Sequence, residues 1–408
     1  MGGSLPSLQI AQAGGEILKS KYYQYIVRVL ILLGTSTSLA FLLLAWTQPF
    51  DLESLALPWD RNPFGAFSYP PETIVKNGET APSSQQPKIR TGTEESATDV
   101  FRKRGVGLLH AWTDSELFVR ALTNEKIGVG QNNSTSVRTP KIAFMFLIQN
   151  DIPFEPLWNH FFKGHEGLFN IYVHMWPLKL SAFQRSKGVF WGRLVPSQDG
   201  KKLTPGLIAN ARRLLANALL DDPSNEWFAI ISGSCIPLHG FRHVYDTLAS
   251  TNKSFLDVDP EHWDMWSRYT ARGDDAMKPE IQFSQFKVGS QFWVMRRKHA
   301  VMTVDDMKYW TKFNKPCLPN RVNCYPEEHY FSTLMGFLDP SGCKHTATLV
   351  DWSRADGGHP TRWEADEISL NFLRELRQRG NGEYLFARKF HRDCLDKLLD
   401  TANELWAE

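Results

Sequence analysis

Cysteine is scarce and unpatterned in this chain. Cys235, Cys317, Cys324, Cys343 and Cys394 are the whole set, with no C-x-x-C pair, and that excludes the common zinc-ligand frameworks. Net charge is nearly absent: 46 Lys and Arg against 44 Asp and Glu leave +2. A dedicated nucleic-acid binder needs a strong basic field, so no nucleic-acid partner is expected. No internal repeat is visible, and the acidic stretch "EEH" at 327–329 does not fit the H-E-x-x-H of a zinc protease helix. Long apolar runs are also rare. The informative one is "VLILLGTSTSLAFLLLAW", residues 29–46, 18 residues without a charge, about the length that crosses a bilayer.

Lys19, Lys21 and Arg28 precede that run, and Asp51 and Glu53 follow it. The positive-inside bias then leaves a short tail in the cytosol and the bulk of the chain on the other side. A cleaved signal peptide is the competing reading, but the preceding region is long and no small-residue cleavage site follows. The expected organisation is a cytosolic tail (1–28), a transmembrane signal-anchor (29–46), a flexible stem (47–140) rich in Pro, Ser, Thr, Gly and Gln, and a lumenal globular domain (141–408). Asn132, Asn133 and Asn252 head N-x-S/T triplets and are glycosylation candidates. In an oxidising compartment five cysteines suggest two bridges and one free thiol. Cys317 can pair with Cys324 across a short Pro-containing loop, and Cys343 with Cys394. Cys235 ends an apolar run and reads as buried.

Within the stem, Thr113-Asp-Ser-Glu116 is a capping box before "ELFVRAL". From Lys141 onward, strand-like and helix-like segments alternate. "IAFMFLI" (142–148), "FNIYVHM" (169–175), "GVFWGRL" (188–194) and "WFAII" (227–231) read as strands; 156–163 and 205–221 read as helices. That alternation implies an α/β fold with a mostly parallel, Rossmann-like sheet covered by helices. Ligands of such sheets sit beyond the carboxyl ends of the strands.

Several polar constellations fall at such ends. The turn Ser232-Gly233-Ser234-Cys235 follows a strand where many sugar-nucleotide transferases carry a metal-binding Asp-x-Asp; small hydroxyls stand here instead. Asp257 and Asp259 form an Asp-x-Asp elsewhere, spaced to hold Mn²⁺ or Mg²⁺ or simply to end a strand in a solvated turn. "KVGSQFWVMRRK" (287–298) reads as a strand opening on Gly-Ser-Gln and ending in a basic cluster. "YLFARKF" (384–390) sets Arg388 and Lys389 in an apolar strand, where they would point to opposite faces. "CYPEEHYFSTLM" (324–335) leads through a proline into a helix. Adjacent carboxylates at a helix start suit the helix dipole, and at most one of them can face a pocket.

Together, "NIYVHM", "RRLLANALLD", "ISGSCIPL", "KVGSQFWVMRRKHA", "CYPEEHYFSTLM", "LVDWSR" and "LFARKF", in this order, resemble the core-2/I-branching glycosyltransferases (glycosyltransferase family 14), in particular the plant branch. The resemblance runs from about Lys141 to Leu399. It implies a GT-A-type fold in a Golgi type II membrane protein, a UDP-sugar donor as co-substrate with no further cofactor and no metal, inversion at the anomeric carbon, and a glycan or glycoprotein acceptor. Relatives use N-acetylglucosamine, glucuronic acid or xylose. Pro326-Glu327-Glu328 matches the family's Pro-acid-Glu motif and makes Glu328 the general base. Lys389 matches the lysine on the donor diphosphate, with Arg354 or Arg362 as a candidate second cation. Arg388, His174 and Ser232–Ser234 are placed on the donor side, and Ser290, Gln291 and Trp293 on the acceptor side. Two rival readings are a metal-dependent transferase using Asp257 and Asp259, and a non-catalytic lumenal glycan-binding protein of the same fold.

Overall fold

A computed structural model describes residues 108–130, 138–176, 188–201, 203–259, 261–262, 264–319, 321, 323–356 and 358–407. The tail, the signal-anchor segment, most of the stem, Asn132 and Asn133 lie outside these residues. Among the described residues no helix is long and apolar enough to cross a membrane.

In chain order the elements are α1 (Asp114–Gly130), β1 (Lys141–Ile148), α2 (Glu155–Phe162), β2 (Phe169–Met175), α3 (Gly206–Asp221), β3 (Asn225–Ile231), β4 (Ile236–Pro237), α4 (Phe241–Ala249), β5 (Ser254–Phe255) and α5 (Met265–Tyr269). There follow β6 (Val294–Arg296), α6 (Arg297–Asp305), α7 (Trp310–Phe313), α8 (Pro326–Leu338), β7 (Cys343–Lys344), β8 (Thr348–Val350), α9 (Leu370–Gln378), β9 (Phe386–Arg388) and α10 (Leu395–Ala407). Six strands form one sheet in the order β2-β1-β3-β6-β5-β7, and β4-β9-β8 form a smaller one. The pairs β1/β2, β1/β3 and β5/β7 are parallel, while β6 runs antiparallel to β3 and β5. The architecture is therefore mixed α/β, with a mostly parallel main sheet between helices.

β1 is apolar throughout because both its faces are covered. Phe144 and Phe146 project to one side, where Trp158 of α2 lies 6.2 and 5.2 Å from their rings. The alternate residues, buried Ala143 and Met145, face the other way, as a period of two requires. α3 packs along β1, β2 and β3 and is buried on nearly every side, arginines included. Arg212 donates to the carbonyls of Thr303, Val304 and Asp306 at 3.2, 3.2 and 2.5 Å, satisfying orphan acceptors at the end of α6. Arg213 grips both carboxylate oxygens of Asp114 at 2.7 and 2.5 Å.

That last contact holds α1 on the core helix. α1 falls in the segment assigned to the stem, yet Leu117 and Ala121 are buried and Asp114 is clamped by the core helix. Its capping box forms as expected: Glu116 accepts from the Thr113 amide at 2.8 Å, and Thr113 Oγ1 accepts from the Glu116 amide at 3.3 Å.

Two strand expectations also change. Residues 188–194 form a 3-10 turn at Gly188–Phe190 and a single bridge from Leu194 to Val173, because Gly188 and Gly192 take positive φ of 69° and 68° and break the extended chain. The 287–298 segment is a strand only over Val294–Arg296. Its basic cluster opens α6, with Arg296, Arg297 and Lys298 paired to Glu226, Glu125 and Asp339.

A disulfide joins Cys317 to Cys324, Cα to Cα 6.2 Å. Cys343 and Cys394 are free, contrary to the expected pairing. Cys343 lies on β7 at the edge of the main sheet, whereas Cys394 is buried before α10 with its thiol on the Trp363 carbonyl. Cys235 is a buried free thiol.

Candidate active site

A cleft of about 1120 Å³ opens at the carboxyl ends of β1, β2 and β3, where this sheet topology directs ligands. Leu147 to Gln149, His174, Trp176 and Ser232 to Ser234 line its floor. His174 is buried and neutral: burial, then the neighbouring Arg213, push its pKa down to about 3. Its Nε2 accepts from the Gln198 amide at 3.1 Å, which ties the end of β2 to the loop beside the cleft.

The small sheet builds one wall. Pairing of β4 with β9 sets Ile236 opposite Ala387, and the Phe390 amide donates to the Ser234 carbonyl at 3.2 Å. The serine corner is thereby held against Arg388 and Lys389, although more than 150 residues separate them in sequence. Within the corner, the hydroxyl of Ser232 lies 3.2 Å from that of Ser234 and 3.1 Å from the Cys235 sulfur. Arg388 and Lys389 both line the cleft rather than opposite faces, because β9 ends at Arg388 and strand alternation no longer governs the next residue. The Arg388 guanidinium lies 4.3 Å over the Phe292 ring, and burial lowers its pKa. Its buried Nε has no hydrogen-bond partner among the described residues.

The start of α8 supplies another part of the lining. Tyr325 adopts a left-handed backbone, φ 37° and ψ 56°, as the N-cap before Pro326, and the next turn presents Glu328 to the cleft. Arg268 of α5 donates to Glu328 Oε2 at 2.6 Å. Glu327 is buried. His329 points inward, its Nδ1–H donating to the Lys287 carbonyl at 2.8 Å, and burial holds its pKa down at about 3. The Gly289 amide donates to the Glu328 carbonyl at 2.9 Å. A Cβ on Gly289 would lie 2.6 Å from the Asp257 carbonyl oxygen, so only glycine lets this loop approach so closely.

The remaining candidates separate cleanly. Ser290 and Gln291 line the cleft. Trp293 does not: it is buried with its ring 4.9 Å from Phe331, and its neighbour Phe292 faces the cleft instead. Arg354 and Arg362 also fall outside the cleft lining. Their side chains are 57 % and 54 % exposed and pair with Glu367 and Glu364. Asp257 also lines the cleft, its carboxylate accepting from the Thr346 amide at 2.9 Å and the Ser290 amide at 3.2 Å, with His345 Nδ1 2.8 Å away. Asp259 lines the cleft with a pKa raised by burial and by Asp257. Among the described residues no three His, Cys, Asp or Glu side chains are grouped as a metal site. Asn252 is exposed in the turn before β5.

Sequence reasoning missed Arg268, Tyr325, His345 and Tyr384, all in the cleft lining. Arg268 lies in "WSRYTAR", 60 positions from the glutamate it binds, with no local signal to mark it.

The family model described as Core-2/I-Branching enzyme matches residues 142–377. The span includes Glu328 and Arg268 and stops short of β9, so Arg388 and Lys389 lie beyond it. A curated relative, "Glycosyltransferase BC10" from Oryza sativa subsp. japonica, is 29 % identical over 309 residues, covering 64 % of this chain and 76 % of that protein.

Proposed function

The chain belongs to the Core-2/I-Branching enzyme family and is a glycosyltransferase; on that premise we propose that it transfers a sugar from a UDP-sugar to a glycan hydroxyl with inversion and without a metal. The observation that carries the proposal is that one cleft is lined both by a carboxylate, Glu328, and by a pair of cations, Arg388 and Lys389. Glu328 takes the proton from the acceptor hydroxyl as that oxygen forms its bond to the anomeric carbon. The bond from that carbon to the UDP oxygen breaks, and the electron pair leaves with the diphosphate. Lys389 and Arg388 stabilise the charge that develops there, the task a divalent ion performs in metal-dependent transferases. Arg388 replaces Arg354 and Arg362 as the second cation in this reading, because it is the arginine of the three that lines the cleft.

Two further observations support the metal-free reading. Asp257 already accepts two hydrogen bonds and lies 2.8 Å from His345 Nδ1, and the buried Nε of Arg388, without a hydrogen-bond partner among the described residues, favours a ligand that brings one. Residues 29–46 supply a Golgi type II signal-anchor in this proposal, the catalytic domain is lumenal, and the Cys317–Cys324 bridge suits that oxidising compartment. Asn252 is the sequon available for glycosylation on the described surface.

Calorimetric titration of UDP into the full-length chain, in EDTA and again in Mn²⁺, tests the reading with Lys389→Ala alongside. Equal binding in both buffers, weakened by Lys389→Ala, is expected. Binding confined to Mn²⁺ would move the site to Asp257 and Asp259, and no binding in either buffer would favour a non-catalytic glycan-binding protein.

A further inference from the structure

Glu328 is held by one side chain, and the way that side chain is itself held has a consequence for turnover. Arg268 is 7 % exposed at its side chain and Glu328 24 %. The Arg268 Nη1 serves two acceptors, Glu328 Oε2 at 2.6 Å and His329 Nε2 at 3.4 Å, while the guanidinium lies 4.6 Å over the Tyr325 ring. His329 can accept because it is locked in one tautomer. Its Nδ1–H is committed to the Lys287 carbonyl, its ring stacks on Phe286 at 4.4 Å, and burial keeps it uncharged. A protonated imidazole there would present a second cation to Arg268. The ordered imidazole, the tyrosine ring and the carboxylate thus fix the guanidinium from three directions, a geometry that suits a planar arginine better than a lysine. One oxygen of Glu328 is consequently anchored, and Oε1 has no hydrogen-bond partner among the described residues.

We propose that Arg268 is the positioning residue of this site: it pins Oε2 of Glu328 so that Oε1 is directed at the acceptor hydroxyl, with His329 and Tyr325 as its supports. The proposal rests on Glu328 being the base. A surface ion pair would contribute little in this position, whereas releasing the carboxylate lets it swing, and misplacing a reacting group by about 1 Å costs on the order of 10²-fold in rate.

The test uses full-length protein with UDP-N-acetylglucosamine, UDP-glucuronic acid and UDP-xylose, each read by UDP release in the presence of water as acceptor. Arg268→Met, Arg268→Ala, Arg268→Lys, Glu328→Gln and the Arg268→Met/Glu328→Gln double variant are compared, with UDP affinity measured for each. Arg268→Met should lower kcat by about 10²-fold at unchanged donor KM and UDP affinity. Arg268→Lys should lose less, millimolar guanidinium should restore part of the activity of Arg268→Ala, and the double variant should be no slower than Glu328→Gln alone. A kcat like wild type in Arg268→Met, or a loss of UDP affinity that accounts for the whole defect, would overturn the positioning role and leave the base intact. Full turnover in Glu328→Gln, or no turnover of any donor by the wild-type chain, would instead remove the base reading and this proposal with it. If Arg268→Met does not fold, Arg268→Lys decides: folded with wild-type kcat and no response to guanidinium, it too would refute the role.

Discussion

The two walls of the cleft are built on opposite plans. At the start of α8 the carboxylate that lines the cleft has a charged protein partner: Glu328 meets Arg268, and Arg268 meets His329. At the end of β9 the Arg388 guanidinium is buried against an aromatic ring, and its Nε lacks a hydrogen-bond partner among the described residues. Glu328 is held by a protein cation before any ligand arrives, whereas among the described residues no ion pair holds Arg388. A proton acceptor needs fixed geometry in advance, while a cation buried without an ion pair favours an anion that enters beside it. The covalent structure follows the same division, since the Cys317–Cys324 bridge closes the loop that ends at Tyr325 and no bridge is present beside β9.

Removing the carboxylate proposed as the base should have the largest effect. Glu328→Gln is expected to cut kcat by about 10³-fold while UDP binds as in the wild type; a loss of UDP affinity of similar size, measured by calorimetry, would erase the distinction between the walls. Arg388→Met should do the reverse and reduce both UDP affinity and kcat, with a cost of about 3 kcal/mol in the transition state. If steady-state kinetics showed kcat falling alone, Arg388 would belong functionally with the base.

Acid should weaken both walls together. His174 in the cleft lining and His329 beside Glu328 are each held near a pKa of about 3 in the folded protein, below the ordinary histidine value. The unfolded chain therefore binds protons that the folded one refuses. Stability is complete above about pH 6.5 and declines as pH falls toward 3, by roughly 2 kcal/mol per histidine at pH 5. Thermal melts from pH 7.5 to pH 5 should show the decline, and a flat profile would mean these rings accept protons without unfolding. The smallest effect is expected from Cys317→Ser with Cys324→Ser, about 2 kcal/mol of stability for so short a loop. Its kinetic signature would sharpen the contrast: kcat should fall with the loosened base wall while UDP affinity holds.

Legibility from sequence followed the range of the interactions. β1, β2, α3 and α8 were readable because burial on one or two faces writes a period into adjacent residues. The segment 188–194 misled because its apolar content was strand-like while Gly188 and Gly192 adopted left-handed backbones. Trp293 and Phe292 show the same limit at one-residue scale, since a strand start places one of the pair in the core and the other in the cleft, and composition does not say which. Arg354 and Arg362 sat in a plausible stretch, yet each found a nearby glutamate on the surface. Arg268 had no readable mark at all.

What the sequence by itself determined is the α/β alternation, the acidic helix start at Glu328 and the cationic segment at Lys389, each encoded in a few consecutive residues and, in combination, a resemblance to one family that the residues 142–377 then matched. Only the tertiary structure decided which groups meet: Arg268 with Glu328, and Arg388 with the Ser232–Ser234 corner across the β4–β9 pairing. The physical reason is that local periodicity depends on neighbours along the chain, whereas the field around a catalytic carboxylate depends on charges brought within about 4 Å by folding, where their interaction is strongest.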